Sequence, residues 1–284
     1  MTTVLEALAK SYNTLLKKNI KTAKIDSEII LAEILKTSRI NLVTKQSLVL
    51  NDSQESLFDL FIKRRRKSEP VAYILNKKDF WNETYFVDKR VLIPRPETEI
   101  LIDMLIKKIK NKSKILQIID IGCGSGCLLI SCLQEFKKSL GLGLDISAGA
   151  LEVAKMNIDT YKLNARAKLL KKNIFSFSTQ KKFDLILSNP PYLSLVEYNS
   201  LDIGVKKFEP KKALKGGHDG ILFYKKIIAF ASSSLKKNGL LALELGDGQF
   251  VKIKEILTDK SFRIIDKYQL INGETRCVLA SKIG

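Results

Sequence analysis

A chain of 284 residues with 49 Lys and Arg against 30 Asp and Glu carries a net charge of +19 and has room for one large domain or two ordinary ones. Its 45% hydrophobic content can build real cores, yet polar residues interrupt every apolar run short of the ~18 residues of a membrane span. The start, Met1 to Glu6, lacks a basic segment followed by an apolar one, so no secretory signal is read and a soluble, cytoplasmic monomer is expected. Cys123, Cys127, Cys132 and Cys277 fit neither a disulfide framework nor a zinc pattern and read as buried thiols. The one histidine, His218, excludes Ser-His-acid catalysis and multi-histidine metal sites, so no metal is expected. The basic excess reads either as a solvated bias or as a face for nucleic acid or an acidic partner.

Residues 1–72 show helical periodicity only. Val4, Leu5, Leu8, Tyr12, Leu15 and Leu16 share one face, with Thr3 and Glu6 as a capping box. Further helices are expected around Ile25 to Leu35 and around Leu57 to Ile62, the latter running into Lys63 to Lys67 at a helix C-terminus. Residues 73–96 turn to short β-like pieces, Phe80-Trp81 and Thr84 to Val87, and read as a hairpin linker. The proline-flanked Leu92 to Glu99 precedes an amphipathic helix from Ile100 to Lys110; it is either a plain helix start or a rigid segment presenting Arg95 or Thr98 to a site.

Over residues 97–284 apolar strands (Ile115 to Ile121, Leu142 to Ile146, Ala167 to Leu170, Phe183 to Ser188, Leu240 to Leu245) alternate with helical stretches at about Leu128 to Lys138, Ala148 to Tyr161, Gly220 to Lys237 and Gln249 to Leu257. That order predicts a doubly wound α/β domain with a mainly parallel sheet. Phe262 to Leu270 and Thr275 to Ala280, with no helix between, predict an antiparallel terminal hairpin and a total of seven strands.

Four strand ends carry chemistry. Gly122-Cys123-Gly124-Ser125-Gly126 follows the first strand, where glycines let the backbone turn tightly and approach a ligand. A dinucleotide fingerprint needs a further glycine where Cys127 stands. The spacing, preceded by Asp120-Ile121, instead resembles the first motif of Rossmann-like methyltransferases that bind S-adenosylmethionine. Asp145 closes the second strand about twenty residues on, where a carboxylate accepts from ribose hydroxyls. Asn173, Ile174 and Phe175 follow the third strand as contacts for an adenine edge and face. Asn189-Pro190-Pro191-Tyr192 closes the fourth: the prolines end the ladder, and the Asn and Tyr could grip a planar amide or amino group.

This order resembles that of amino-group methyltransferases acting on adenine or on a glutamine amide. Leu92 to Glu99 and Phe208-Glu209-Pro210, followed by Ala213-Leu214, Gly216-Gly217 and Asp219-Gly220, resemble the PrmC/HemK family, the peptide chain release factor N(5)-glutamine methyltransferases. The match is close over Tyr73 to Leu245 and rests on helical pattern alone before that. The resemblance implies a class I methyltransferase domain behind a helical substrate-recognition domain. It implies that Gly122, Cys123, Gly124, Ser125, Gly126, Asp145, Asn173, Ile174 and Asn189 hold S-adenosylmethionine, released as S-adenosylhomocysteine. Asn189, Pro190, Pro191 and Tyr192 would hold the glutamine of a Gly-Gly-Gln motif, with Asn189, Pro190 and Tyr192 catalytic and Tyr192 against the amide plane. The rival is a DNA N(6)-adenine methyltransferase, for which direct nucleic-acid binding and the Lys206, Lys207, Lys211, Lys212, Lys215 cluster would matter. The release-factor reading requires no nucleic-acid contact.

Overall fold

The computed structural model describes residues 2–283, and the chain falls into two compact units, Met1–Lys77 with Asp202–Phe208, and Lys78–Leu201 with Glu209–Gly284. The first unit is helical. It holds α1 (Val4–Leu16), α2 (Ala23–Ile34), α3 (Asp52–Arg65) and the short α4 (Val71–Leu75), with a 3-10 turn at Ile40–Lys45. Thr3 and Glu6 form the expected reciprocal cap, and Asn51 with Gln54 repeats it on α3. The buried stripe of α1 is Val4, Ala7, Ser11 and Leu15; Leu5, Tyr12 and Leu16 face outward, so the apolar face is narrower than the sequence suggests. Within the basic run, Arg64 forks onto Glu69 and Arg65 reaches Asp26 at 2.8 Å, so two of these cations brace the unit rather than only facing water.

In the second unit, β1 (Lys77–Phe80) and β2 (Glu83–Phe86) form a two-stranded hairpin, followed by α5 (Pro96–Lys108). Then come β3 (Gln117–Ile121), α6 (Cys127–Glu135), β4 (Leu140–Asp145), α7 (Ala148–Thr160), β5 (Ala167–Lys171) and β6 (Phe183–Ser188). After α8 (Leu195–Ser200) the chain runs through α9 (Ile203–Phe208), which groups with the helical unit. It returns in α10 (Leu222–Ser234), β7 (Leu235–Glu244), α11 (Phe250–Asp259), β8 (Phe262–Gln269) and β9 (Thr275–Lys282).

The sheet order is β5-β4-β3-β6-β7-β9-β8, parallel except that β9 runs against both neighbours. The seven-stranded, mainly parallel class I methyltransferase architecture with a helical N-terminal region is therefore present. β6 is buried over nearly its whole length because helices cover both faces, which is why it reads as a continuous apolar run. β3 begins at Gln117, not Ile115: its neighbour's ladder starts at Leu140, and Ile115 is exposed. β7 begins at Leu235, earlier than expected, because Leu235 pairs with Phe183 before an irregularity resets the register at Leu185–Leu240. The exposed Lys236 and Lys237 hide that strand start in the sequence. The chain steps from β3 to β4 on one side and returns to β6 on the other, and this reversal opens a crevice at the strands' carboxyl ends. Among the described residues no helix is long and apolar enough to cross a membrane.

Candidate functional site

The glycine loop after β3 depends on conformation. Gly122, Gly124 and Gly126 have φ of 77°, 54° and 80°, a region costly for any residue with a Cβ. A side chain at Gly126 would also stand 3.3 Å from the Ala154 Cβ of α7, whereas the space beside Gly122 is open. Loop and β4 are bound together through Asp145, whose Oδ2 accepts from the Gly124 amide at 3.0 Å and whose Oδ1 accepts from Ser147 at 2.8 Å. Burial raises the Asp145 pKa against these hydrogen bonds. Asn157 of α7 is buried and fully engaged: it donates to Ser125 O at 2.8 Å and to Phe86 O at 3.0 Å, and accepts from the Phe86 amide at 2.8 Å.

Behind the loop, Asp120 is buried with its Oδ2 unpartnered. Burial, aided by the nearby Asp145 charge, pushes its carboxyl up to about 7 from an ordinary 3.8. Between those two values the folded chain keeps a proton that the unfolded chain has released, so this group's stabilising contribution declines as pH rises through the window. Asp120→Asn should therefore gain melting temperature on the wild type as pH rises from about 5 to about 8, as scanning calorimetry at the two pH values would show.

Asn189 to Tyr192 closes β6. Ser188 Oγ donates to Ile121 O at 2.7 Å, tying the ends of β6 and β3 together. Asn189 Nδ2 donates to Thr98 Oγ1 at 3.0 Å, and Thr98 in turn donates to Glu244 Oε2 at 2.5 Å. Beyond the prolines, Leu193 N donates to Leu214 O at 3.0 Å and Gly216 N to Leu193 O at 2.8 Å, a short parallel splint. The splint needs small residues: a Cβ on Gly216 would meet Pro191 O at 2.7 Å, and one on Gly220 would meet Tyr192 O at 2.3 Å.

The two segments that carry the family resemblance meet at an ion pair. Buried Glu209 accepts from Arg95 Nη2 at 2.6 Å and from the Ile93 amide at 3.2 Å. Arg95→Ala removes one partner of a buried carboxylate and should cost about 2 kcal/mol, measurable by urea unfolding; Arg95→Lys, lacking the planar fork, should recover only part of it.

A cavity of about 520 Å³ opens at this sheet edge. It brings together Gly122, Gly124, Asp145, Asn173, Ile174, Asn189, Pro190 and Pro191, along with the flanking Leu144, Ile146, Phe175 and Phe223. Cys123, Ser125, Gly126 and Tyr192 stay outside its lining. Cys123 is buried against Gly143, Ser125 is buried with its carbonyl held by Asn157, and Gly126 is turned toward α7. Tyr192, expected against a substrate amide, instead packs toward Gly246 with the Arg276 guanidinium 5.9 Å from its ring centroid, and its carbonyl accepts from Gln249 at 2.8 Å. Asn173 uses its Oδ1 to cap the Phe175 amide at 3.0 Å. The lysine cluster divides: Lys211, Lys212 and Lys215 line the cavity, while Lys206 and Lys207 belong to the helical unit. Glu244 and Asn157 escape sequence reasoning; the available signal was a single polar residue inside an otherwise apolar strand or helix face.

Similarity to known proteins runs over both units. The Methyltransferase small domain family matches residues 96–204, and the PrmC N-terminal domain family matches residues 6–75. A Release factor glutamine methyltransferase of Clostridium botulinum is 33% identical over 98% of this chain and 98% of its own length. A Bifunctional methyltransferase of Rickettsia bellii is 33% identical over 93% of this chain but only 52% of its own. Among solved structures, a 16S rRNA methyltransferase of T. thermophilus, solved with AdoMet and guanosine, shares the fold at a TM-score of 0.50 and 15% identity over 73% of this chain and 50% of that one. A resemblance close over Tyr73 to Leu245 thus extends over nearly the whole length, and the chain belongs to the release factor glutamine methyltransferase family.

Proposed function

We propose that the protein transfers the methyl group of S-adenosylmethionine to the side-chain amide nitrogen of the glutamine in the Gly-Gly-Gln motif of peptide chain release factors. The observation that carries this reading is the Asn189 carboxamide. Its nitrogen is engaged inward by Thr98, no described residue donates to its oxygen, and it lines the cavity beside Pro190. Such an edge presents acceptors to a group that has two N–H donors and little else.

The residues present fit the cofactor. Gly122 leaves open room for a ligand, Asp145 offers carboxylate lone pairs suited to ribose hydroxyls, and Leu144, Ile174 and Phe223 give apolar walls for a base. Bound there, S-adenosylmethionine supplies an electrophilic sulfonium methyl. An amide nitrogen is a weak nucleophile because its lone pair is delocalised into the carbonyl. Asn189 Oδ1 and the Pro190 carbonyl, accepting its two hydrogens, orient that nitrogen and favour the positive charge it gains as the carbon–sulfur bond breaks; one of the two hydrogens then leaves to water as a proton, giving the N-methyl amide and S-adenosylhomocysteine.

The test is transfer of label from S-adenosylmethionine to a purified release factor, with a factor lacking the glutamine and duplex DNA as parallel substrates. Label in the intact factor alone supports the reading. Label in DNA alone, which the +19 charge and the cavity lysines would then explain, rejects it.

A further inference from the structure

Three elements converge behind the Asn189 side chain: the first turn of α5 through Thr98, the end of β7 through Glu244, and the end of β6 through Asn189 itself. We propose that Thr98 and Glu244 are positioning residues that hold the Asn189 carboxamide in one orientation, nitrogen inward and oxygen toward the cavity, so that the site accepts a primary-amide N–H. The proposal rests on the function stated above and deepens it.

The argument is one of hydrogen count. A carboxylate only accepts, and a threonine hydroxyl has one hydrogen to give. With Thr98 Oγ1 donating to Glu244 Oε2, its oxygen has only lone pairs left for Asn189. The partner at 3.0 Å must therefore be Nδ2, not Oδ1. Turned the other way, the carboxamide would set its oxygen against the hydroxyl lone pairs and offer a donor to the cavity, where a substrate NH2 needs an acceptor. Thr98 and Glu244 are 4% and 1% exposed, so water offers them no alternative partners. The Glu244 backbone is fixed as well, its carbonyl accepting from the Tyr224 hydroxyl at 2.9 Å.

The same count makes the arrangement sensitive to one proton. A protonated Glu244 can donate to Thr98, whose own hydrogen then turns to Asn189 and favours the reversed carboxamide. Around Glu244 stand Arg95 and Glu97 from the α5 lead-in and first turn, Tyr192 after β6, Tyr224 from α10, and Arg276 and Cys277 from β9. Burial outweighs Thr98 and the arginines and pushes the Glu244 carboxyl up to about 7.

The test is steady-state transfer to a release factor, and in parallel to duplex DNA, by wild type, Thr98→Val and Thr98→Ser, with S-adenosylmethionine binding followed by calorimetry. Thr98→Val keeps the shape and removes both hydrogen-bonding functions. It should lower kcat by roughly 10- to 100-fold and leave cofactor Kd within about twofold, while Thr98→Ser recovers most of the loss. A valine variant with wild-type kcat, or a serine variant as impaired as valine, overturns the proposal. Wild-type kcat should also fall as pH is lowered through about 7, and the valine variant should lack that limb. A wild-type kcat that is flat from about pH 6 to about 8 overturns the proposal even where the valine variant does not fold. Failure of the function itself reads out separately, as label in DNA rather than in the factor with the Thr98 effect intact.

Discussion

Asn189→Ala should lower methyl transfer by about 10²- to 10³-fold, the range observed when one donor or acceptor aimed at developing charge is removed. The loss should fall on kcat, because in the proposed mechanism the acceptor acts on the reacting nitrogen, whereas the groups suited to the cofactor lie on other strands. Asp145 and the glycine loop are held by their own hydrogen bonds at β4 and α7, none of which passes through Asn189. Truncation also frees Thr98 from its acceptor role without disturbing its bond to Glu244. Single-turnover transfer and calorimetric S-adenosylmethionine binding on one preparation separate the two quantities. Near-normal turnover would remove Asn189 from the chemistry; weakened cofactor binding with a normal single-turnover rate would assign it to the cofactor instead.

The second large effect is expected at Gly220, distant in sequence from Asn189 but lying against the Asn189–Tyr192 turn. Its φ is +75°, and an added Cβ would stand 2.3 Å from the carbonyl oxygen of Tyr192 and 2.4 Å from Gln249 Nε2. Gln249 can swing, but the Tyr192 carbonyl cannot, because it belongs to the splinted turn. Gly220→Ala should therefore combine left-handed backbone strain with forced overlap, together about 2–5 kcal/mol, and should lower activity by displacing Asn189 to Tyr192. Gly273→Ala provides the internal control: its φ is +84° with nothing within 4 Å of the added atom, so it should cost only about 1–2 kcal/mol. Equal melting temperatures for the two variants would mean that the overlap is relieved without cost.

Much of this arrangement was legible because burial on both sheet faces leaves a signal in a strand. Phe183 to Ser188 and Gly122 to Gly126 could be placed, as a buried strand and as the turn that follows one, from apolar runs and glycine spacing alone. The helix over Leu222–Ser234 was located, but its end was not, since Lys236 and Lys237 fit a helix surface as well as an exposed stretch of strand. Glu244 was invisible for a different reason: a carboxylate at a strand terminus usually faces water, and only the tertiary meeting with Thr98 turns it inward. Tyr192 shows the converse. A flat polar ring in a catalytic motif suggests a substrate platform, but the competing partners Gly246, Gln249 and Arg276 come from β7, α11 and β9 regions that local sequence does not reveal.

The three hydrogen bonds of Asn157 have a consequence for motion. One carboxamide on α7 clasps the end of the hairpin at Phe86 and the glycine loop at Ser125. The loop consequently has little independent freedom, because shifting Ser125 also strains the hairpin. Opening of the loop is thereby linked to the hairpin, and a ligand that quiets the loop should slow amide exchange at Phe86 as well, even though Phe86 does not line the cavity.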